Sequence, residues 1–271
     1  MHGRIEGKRM SSTEPDRAAG NAPAVTRAIR VLDLLAAERG RMRTLTEIAR
    51  ELGLPKSSVS NLCTALEEGG LVRRSGGGYL LGRRTVELGS AFLSGFDQVR
   101  EFYRACEESD VLSRQLVQLV MLDGARVLYL AVHEGRERFP LSANVGDRYP
   151  ASATAVGTAL LSELPPARVA ELYWDPHELV AFTERSTTTL TQLQAKLERT
   201  REQGYAIDEG EVHPSVVGLA VVVPASGSGE PSFGLGVSLV NPTGAPDERE
   251  EVLTALQKAV GQLTRPRLLS A

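Results

Sequence analysis

Cysteine is scarce in this 271-residue chain, where Cys63 and Cys106 are the whole complement. Two thiols cannot build a disulfide framework, and both fall in helical patterns, so they read as buried thiols of a cytoplasmic protein. Histidine is little commoner: His2, His133, His177 and His213 are scattered without metal-ligand spacing. There is no CxxC, no G-x-S-x-G elbow and no glycine loop of the phosphate-cradling kind. No metal and no cofactor are therefore expected, and an enzyme is the weaker class. No run approaches the roughly 18 apolar residues of a membrane span. A secretory signal is also missing, because the opening MHGRIEGKRMSSTEPDRAAGNAP is polar. Residues 1–22 read as a disordered or tag-derived tail.

Charge is unevenly spread. Residues 1–90 hold 15 Lys+Arg against 10 Asp+Glu, whereas residues 91–271 hold 16 against 24. A basic N-terminal piece on an acidic larger piece suits a chain whose first part touches a polyanion. Apolar spacing over Val25, Ala28, Ile29, Leu32 and Leu35, widened by Val31 and Leu34, predicts a helix ending at Glu38-Arg39-Gly40. A second, capped by Thr44 or Thr46, carries Leu45, Ile48, Ala49 and Leu52 and stops at Gly53. Pro55 opens a third with Val59, Leu62, Cys63 and Leu66 inward and Gly69-Gly70 at its end. Two short helices joined by a tight glycine turn form a helix-turn-helix. Leu71-Val72 and Tyr79-Leu80-Leu81 read as strands, with Arg73 to Gly78 as the tip of a wing.

That arrangement turns Lys56, Ser57, Ser60 and Asn61 outward at the start of the third helix, where a recognition helix meets base edges. The candidate DNA-contacting set is Arg27, Thr46, Lys56, Ser57, Ser58, Ser60, Asn61, Arg73 and Arg74. A serine-rich first turn is also compatible with capping, and winged helices also serve as protein–protein modules. Arginines beside a glycine run nevertheless suit phosphate better than a buried interface. RNA is disfavoured, since no aromatic platform is present for unpaired bases.

Helical spacing continues from Thr85 to Phe96 and again from Val99 to about Leu119. QLVQLVMLD and ARVLYLAV flank the turn Asp123-Gly124, and RFPLSAN reads as extended. SATAVGTALLSEL, capped by Ser152 or Thr154, PPARVAELY and a segment with Leu190, Leu193 and Leu197 read as helices. GYAID, VVGLAVVVP and SFGLGVSLV read as strands, and Asp247 to Leu263 as a last helix. Antiparallel strands with helices around them make an α+β domain. The organisation expected is a winged helix-turn-helix over 23–84, a linker helix over 85–97 and an effector domain over 98–271. Asp208, Glu209, Glu211 and His213 form one polar cluster. A general base there is conceivable, and turn or pocket-wall residues are the ordinary explanation.

From about Pro23 to Leu263 the chain resembles the IclR family of bacterial transcriptional regulators. The segments RAIRVLDLLA, TLTEIARELGLPKSSVSNLCTALEEGGLVRR and YLLGRRTVELG are similar to that family's winged helix. GDRYPASATAVGTALLSEL and REQGYAIDEGEVHPSVVGLAVVVP are similar to its effector domain. The resemblance implies a GAF-like effector domain, a homodimer or dimer of dimers, and operator binding controlled by a small metabolite of a catabolic pathway. It places the effector near Thr154, Ala155, Val156, Asp208, Gly218, Ser238 and Val240. Free amides at the helix start near Ala153 to Thr158 suit a carboxylate, with Leu130, Val221 and Leu239 as apolar wall. Where members often carry Gly-Lys, this chain has Gly157-Thr158, and a polar position of the last strand is Val240. Both departures favour a larger or aromatic effector over a small keto-acid. The alternative function is a small-molecule-binding or catalytic GAF-like protein whose winged helix serves assembly.

Overall fold

The computed structural model describes residues 22–38, 40–135, 143–227, 229–240 and 246–264, and the chain divides into two compact units at Phe92/Leu93. All but Ala22 of the tail expected over 1–22, and most of RFPLSAN, lie outside the described residues. No helix among the described residues is long and apolar enough to cross a membrane.

In the first unit, α1 (Pro23–Ala37), α2 (Leu45–Leu52) and α3 (Lys56–Glu68) pack around Val31, Leu35, Ile48, Val59, Cys63 and Tyr79. Thr44, not Thr46, caps α2: its hydroxyl accepts from the Glu47 amide at 3.3 Å, and the Glu47 carboxylate accepts from the Thr44 amide at 2.8 Å. This reciprocal box satisfies two donors that a helix start leaves open. Gly53 ends α2 at φ 65°, where a side chain would strain. The stripe expected of α1 is narrower than its apolar residues, since Val31 and Leu35 are buried while Val25 and Ile29 are exposed. β1 (Val72–Ser75) and β2 (Gly78–Leu81) form the wing. Arg73 and Arg74 lie in β1 and not at the tip, which is Gly76-Gly77, both at positive φ. α4 (Arg84–Leu93) follows; none of its residues is buried.

The second unit begins with α5 (Asp97–Glu108), shorter than the run expected to Leu119 because β3 (Leu116–Asp123) claims its end. β4 (Arg126–His133) and β5 (Arg148–Pro150, not anticipated) are followed by α6 (Ala155–Ser162), α7 (Pro166–Leu172), α8 (Leu190–Gln203) and β6 (Ala206–Glu209). β7 (Val216–Val223), β8 (Phe233–Val240) and α9 (Pro246–Leu263) complete it. The sheet is antiparallel in the order β5-β4-β3-β8-β7-β6.

Strand alternation separates two cores. Leu119, Leu219, Val221, Phe233, Leu235 and Val237 join Phe102 of α5 and Leu256 of α9 on one face. Val120, Val127, Tyr129 and Ala220 join α6, α7 and α8 on the other. A register shift at Leu119/Val120 lets β3 and β4 keep both patterns. Every residue of α6 is buried, and glycines let it approach so closely. A Cβ on Gly236 would stand 2.5 Å from Val156 Cγ1 and 3.0 Å from the Leu219 carbonyl oxygen. On Gly234 it would stand 2.8 Å from the Val156 carbonyl oxygen, and on Gly218 3.0 Å from Ala155 Cβ.

Gly236→Ala should therefore cost about 1–3 kcal/mol of stability by overpacking. Gly261→Ala, whose added Cβ meets nothing within 4 Å on α9, should be neutral or stabilising. Chemical denaturation of both variants checks this, and equal effects would contradict the close seating of α6.

Candidate functional site

At the start of α6, Thr154 caps the helix by accepting from the Gly157 amide at 3.1 Å, and Thr158 donates its amide to the Thr154 carbonyl at 2.9 Å. The amides of Ala155 and Val156 donate to nothing among the described residues. Both add to the positive end of the helix dipole.

Beneath this turn the register aligns one row across the sheet. Asp208 of β6 faces Gly218 of β7, Gly218 faces Ser238 of β8, and Ser238 faces Leu116 of β3. Directly opposed residues share a face, and Ala155 lies against Gly218, so the row fronts α6. Gln118, diagonal to Ser238, donates to its hydroxyl at 3.0 Å and is itself buried. The Asp208 carboxylate is 4% exposed and accepts from the Glu211 amide at 2.6 Å. Burial pushes it up to about 6, opposed by that hydrogen bond and raised further by the Glu211 charge.

Behind Asp208 sits a buried ion pair. The Lys196 ammonium of α8 is bonded to the Glu211 carboxylate and donates to the Ser152 carbonyl at 2.9 Å. Glu211 also accepts from the amide and hydroxyl of Thr187, at 3.0 and 2.8 Å. One lysine thus joins α8, the chain entering α6 and the loop after β6. Such a pair is retained only when its polar atoms are satisfied.

In the first unit, Lys56, Ser57 and Asn61 are exposed at the start of α3, and Ser58 and Ser60 are half-buried. Arg27 and Thr46 are exposed as well. The two wing arginines differ. Arg74 lies 5.2 Å from the centre of the Tyr79 ring, donates to its hydroxyl at 2.9 Å and pairs with Glu67 at 3.8 Å. Arg73 is exposed, and its guanidinium has no hydrogen bond or ion pair among the described residues.

Two family models cover this architecture: "IclR helix-turn-helix domain" over residues 24–76 and "Bacterial transcriptional regulator IclR C-terminal" over residues 91–265. The chain belongs to the IclR family. It is 32% identical over 219 residues to the HTH-type transcriptional regulator Rv1719 of Mycobacterium tuberculosis, covering 79% of this chain and 82% of that one. It is 30% identical over 202 residues to the HTH-type transcriptional regulator XynR of Escherichia coli, covering 74% and 79%. An IclR regulator from Alicyclobacillus acidocaldarius superposes with TM-score 0.76 at 25% identity, covering 89% and 97%. An IclR homolog from Microbacterium hydrocarbonoxydans, solved with 4-hydroxybenzoate, superposes with TM-score 0.74 at 22% identity, covering 89% and 97%.

In this IclR-family regulator, Thr154, Ala155, Asp208, Gly218 and Ser238 come together at one end of the sheet, and Val156 seats the helix on Gly236. Leu130, Val221 and Leu239 do not join them. All three pack in the opposite core, with α5 and α9, because strand alternation sends them through the sheet. The side chain of Val240 lies outside the described ones. Gln118 and Lys196 were not among the expected site residues. Each left a signal: Gln118 is the polar residue within the apolar run LVQLVML, and Lys196 sits in the buried stripe Leu193, Leu197 and Thr200.

The raised Asp208 carboxyl gives a pH prediction. The folded state holds this proton more tightly than the unfolded chain, from about 6 down to the ordinary 3.8. Its contribution is fully present below pH 4 and is lost as pH rises through 6, up to about 3 kcal/mol in all. The stability of Asp208→Asn relative to the natural chain should therefore improve from pH 4 to 6.5 and level off above. Parallel denaturation curves across that range would contradict it.

Proposed function

We propose that this regulator is a repressor of a catabolic operon, acting in the cytoplasm and released from its operator by a small organic or aromatic carboxylate. The observation that carries the effector class is the pair of undonated amides at the start of α6, set over the row Asp208, Gly218 and Ser238. A helix start offers a carboxylate two hydrogen bonds and a favourable dipole without any lysine. The Microbacterium homolog holds an aromatic hydroxy-carboxylate, the ligand class that the same reading gives this chain. Asp208 and Glu211 serve recognition and packing here, since Glu211 is committed to Lys196 and Thr187.

On the DNA side, α3 enters the major groove with Lys56, Ser57, Ser60 and Asn61 toward the bases, while Arg73 lies on phosphate. Arg74 holds the wing instead, because Tyr79 and Glu67 already occupy its guanidinium. A second copy of the chain covers the apolar side of α4 and the start of α1. Val86, Phe92 and Val25 are 72%, 47% and 58% exposed, and a ten-residue helix with no buried side chain has little to stabilise it in water.

Titrating the full chain onto duplex DNA at several salt concentrations tests this reading. Arg73→Ala should lower the slope of log K against log salt by about 0.9, as for one lost phosphate contact, and Arg74→Ala should leave it unchanged while lowering Tm. Light scattering on the same samples should give at least a dimer. A slope untouched by Arg73→Ala, or a monomer bound to DNA, would contradict the assignment.

A further inference from the structure

The far end of α6 borders a second cleft. β6 pairs with β7 only from Ala206↔Ala220 to Glu209↔Val217, whereas β7 runs on to Val223 against β8. The outer edge of β7 from Val221 to Val223 therefore has no partner strand, and an edge strand turns the N–H and C=O of alternate residues outward. Gly204, at φ 79°, ends α8 in the left-handed conformation and turns the chain into β6 beside that edge. The space left is a cleft of about 250 Å³, room for roughly eight water-sized groups at about 30 Å³ each. None of Thr154, Ala155, Asp208, Gly218 and Ser238 lines it. Its apolar wall is Ala159 of α6, Val221 and Val222 of β7, and Val260 of α9.

The polar wall favours positive charge. Ser162 and Glu163 at the end of α6 and Thr200 and Gly204 at the end of α8 line the cleft, so the negative ends of two helix dipoles meet there. The chain already sets one cation against them. Arg201 donates to the Ser162 carbonyl at 2.8 Å and to the Leu164 carbonyl at 3.2 Å, and Glu198, at 2.8 Å, balances its charge. The hydroxyls of Ser162 and Thr200 donate to carbonyls of their own helices at 2.6 and 3.0 Å, which leaves each only its capacity to accept. The Glu163 carboxylate is the charge left over. It is exposed at the rim and has no hydrogen bond or ion pair among the described residues. The Tyr205 hydroxyl and the Gln257 side-chain amide line the same cleft, and neither has a hydrogen-bond partner there.

We propose that this cleft is a second ligand site, for a small primary amine with a short apolar body. The ammonium sits between Glu163 and the last carbonyls of α8, and the body lies on Val222 and Val260. A carboxylate in the same place would face Glu163 and two helix C-termini, and repulsion excludes it. The site goes beyond the carboxylate sensor and stands without it: α6 offers its first turn to an anion and its last turn to a cation.

Amide-resolved NMR of the full chain at pH 7.5 and low salt, titrated with benzylamine, benzyl alcohol and benzoate, tests this with one ring and three charges. Benzylamine should give saturable shifts on Gly204, Tyr205 and Val222. Its affinity read from those amides should exceed that of benzyl alcohol by about fivefold or more, and the difference should shrink as salt is raised. Benzoate should leave the three amides unmoved. Glu163→Gln should bring the ratio below about twofold, with thermal unfolding confirming that the variant folds. Equal binding of benzylamine and benzyl alcohol, or a ratio unmoved by Glu163→Gln, would overturn the choice of an amine. Benzylamine shifts centred elsewhere, or none, would overturn the site itself and leave the carboxylate reading of α6 untouched.

Discussion

The first turn of α6 rests on the backbone of β7 and β8 because three strand positions beneath it, Gly218, Gly234 and Gly236, carry no side chain. That contact sets the depth of the helix, and the depth decides what its first turn can do. Held a few ångströms higher, Ala155 and Val156 would have water for their amides and an anion would gain little by replacing it. Held against the sheet, these amides keep the low-dielectric surroundings in which a fixed dipole acts strongly. Gly157 extends the same logic on the other side, since a Cβ there would stand 2.3 Å from the Ala151 carbonyl oxygen. The segment entering α6 and the strands under it thus leave α6 one seat.

The buried Lys196–Glu211 pair works within that constraint. Its ammonium reaches the Ser152 carbonyl just ahead of α6, and Glu211 presents its backbone amide to Asp208. Movement of the α6 start and movement of the β6 loop therefore share one ion pair. Charges of this kind rarely add much net stability, yet losing one partner is costly, so the arrangement favours geometry over strength. A ligand shifts such a structure only through its different affinity for two arrangements.

Much of this could be read from the residues alone. The helix-turn-helix was legible because Gly53, Pro55 and Gly69 punctuate a strong 3.6-residue pattern, and the effector strands because valines alternate with small residues. What escaped was set by long-range pairing. The helix expected to run to Leu119 stops at Glu108 because Leu116 to Asp123 pair with two strands, which local spacing does not reveal. Val25 and Ile29 belong to a helical stripe, yet their side of α1 stays exposed among the described residues. Leu130, Val221 and Leu239 looked like pocket wall by hydrophobicity, but the face of a strand residue follows parity and bulges, and those require the register. Arg73 and Arg74 are adjacent and chemically identical, and what sets them apart is the Tyr79 ring and the Glu67 carboxylate beside Arg74, which local sequence does not reveal.

The central claim is that the first turn of α6 is where the effector's carboxylate is felt. Amide-resolved NMR of the full chain, titrated with 4-hydroxybenzoate and with benzoate, tests it most directly. The account predicts that the largest saturable shifts fall on the amides of Ala155, Val156 and Gly218, with smaller ones on Glu211. Saturable shifts centred elsewhere, with Ala155 and Val156 unmoved, would contradict it.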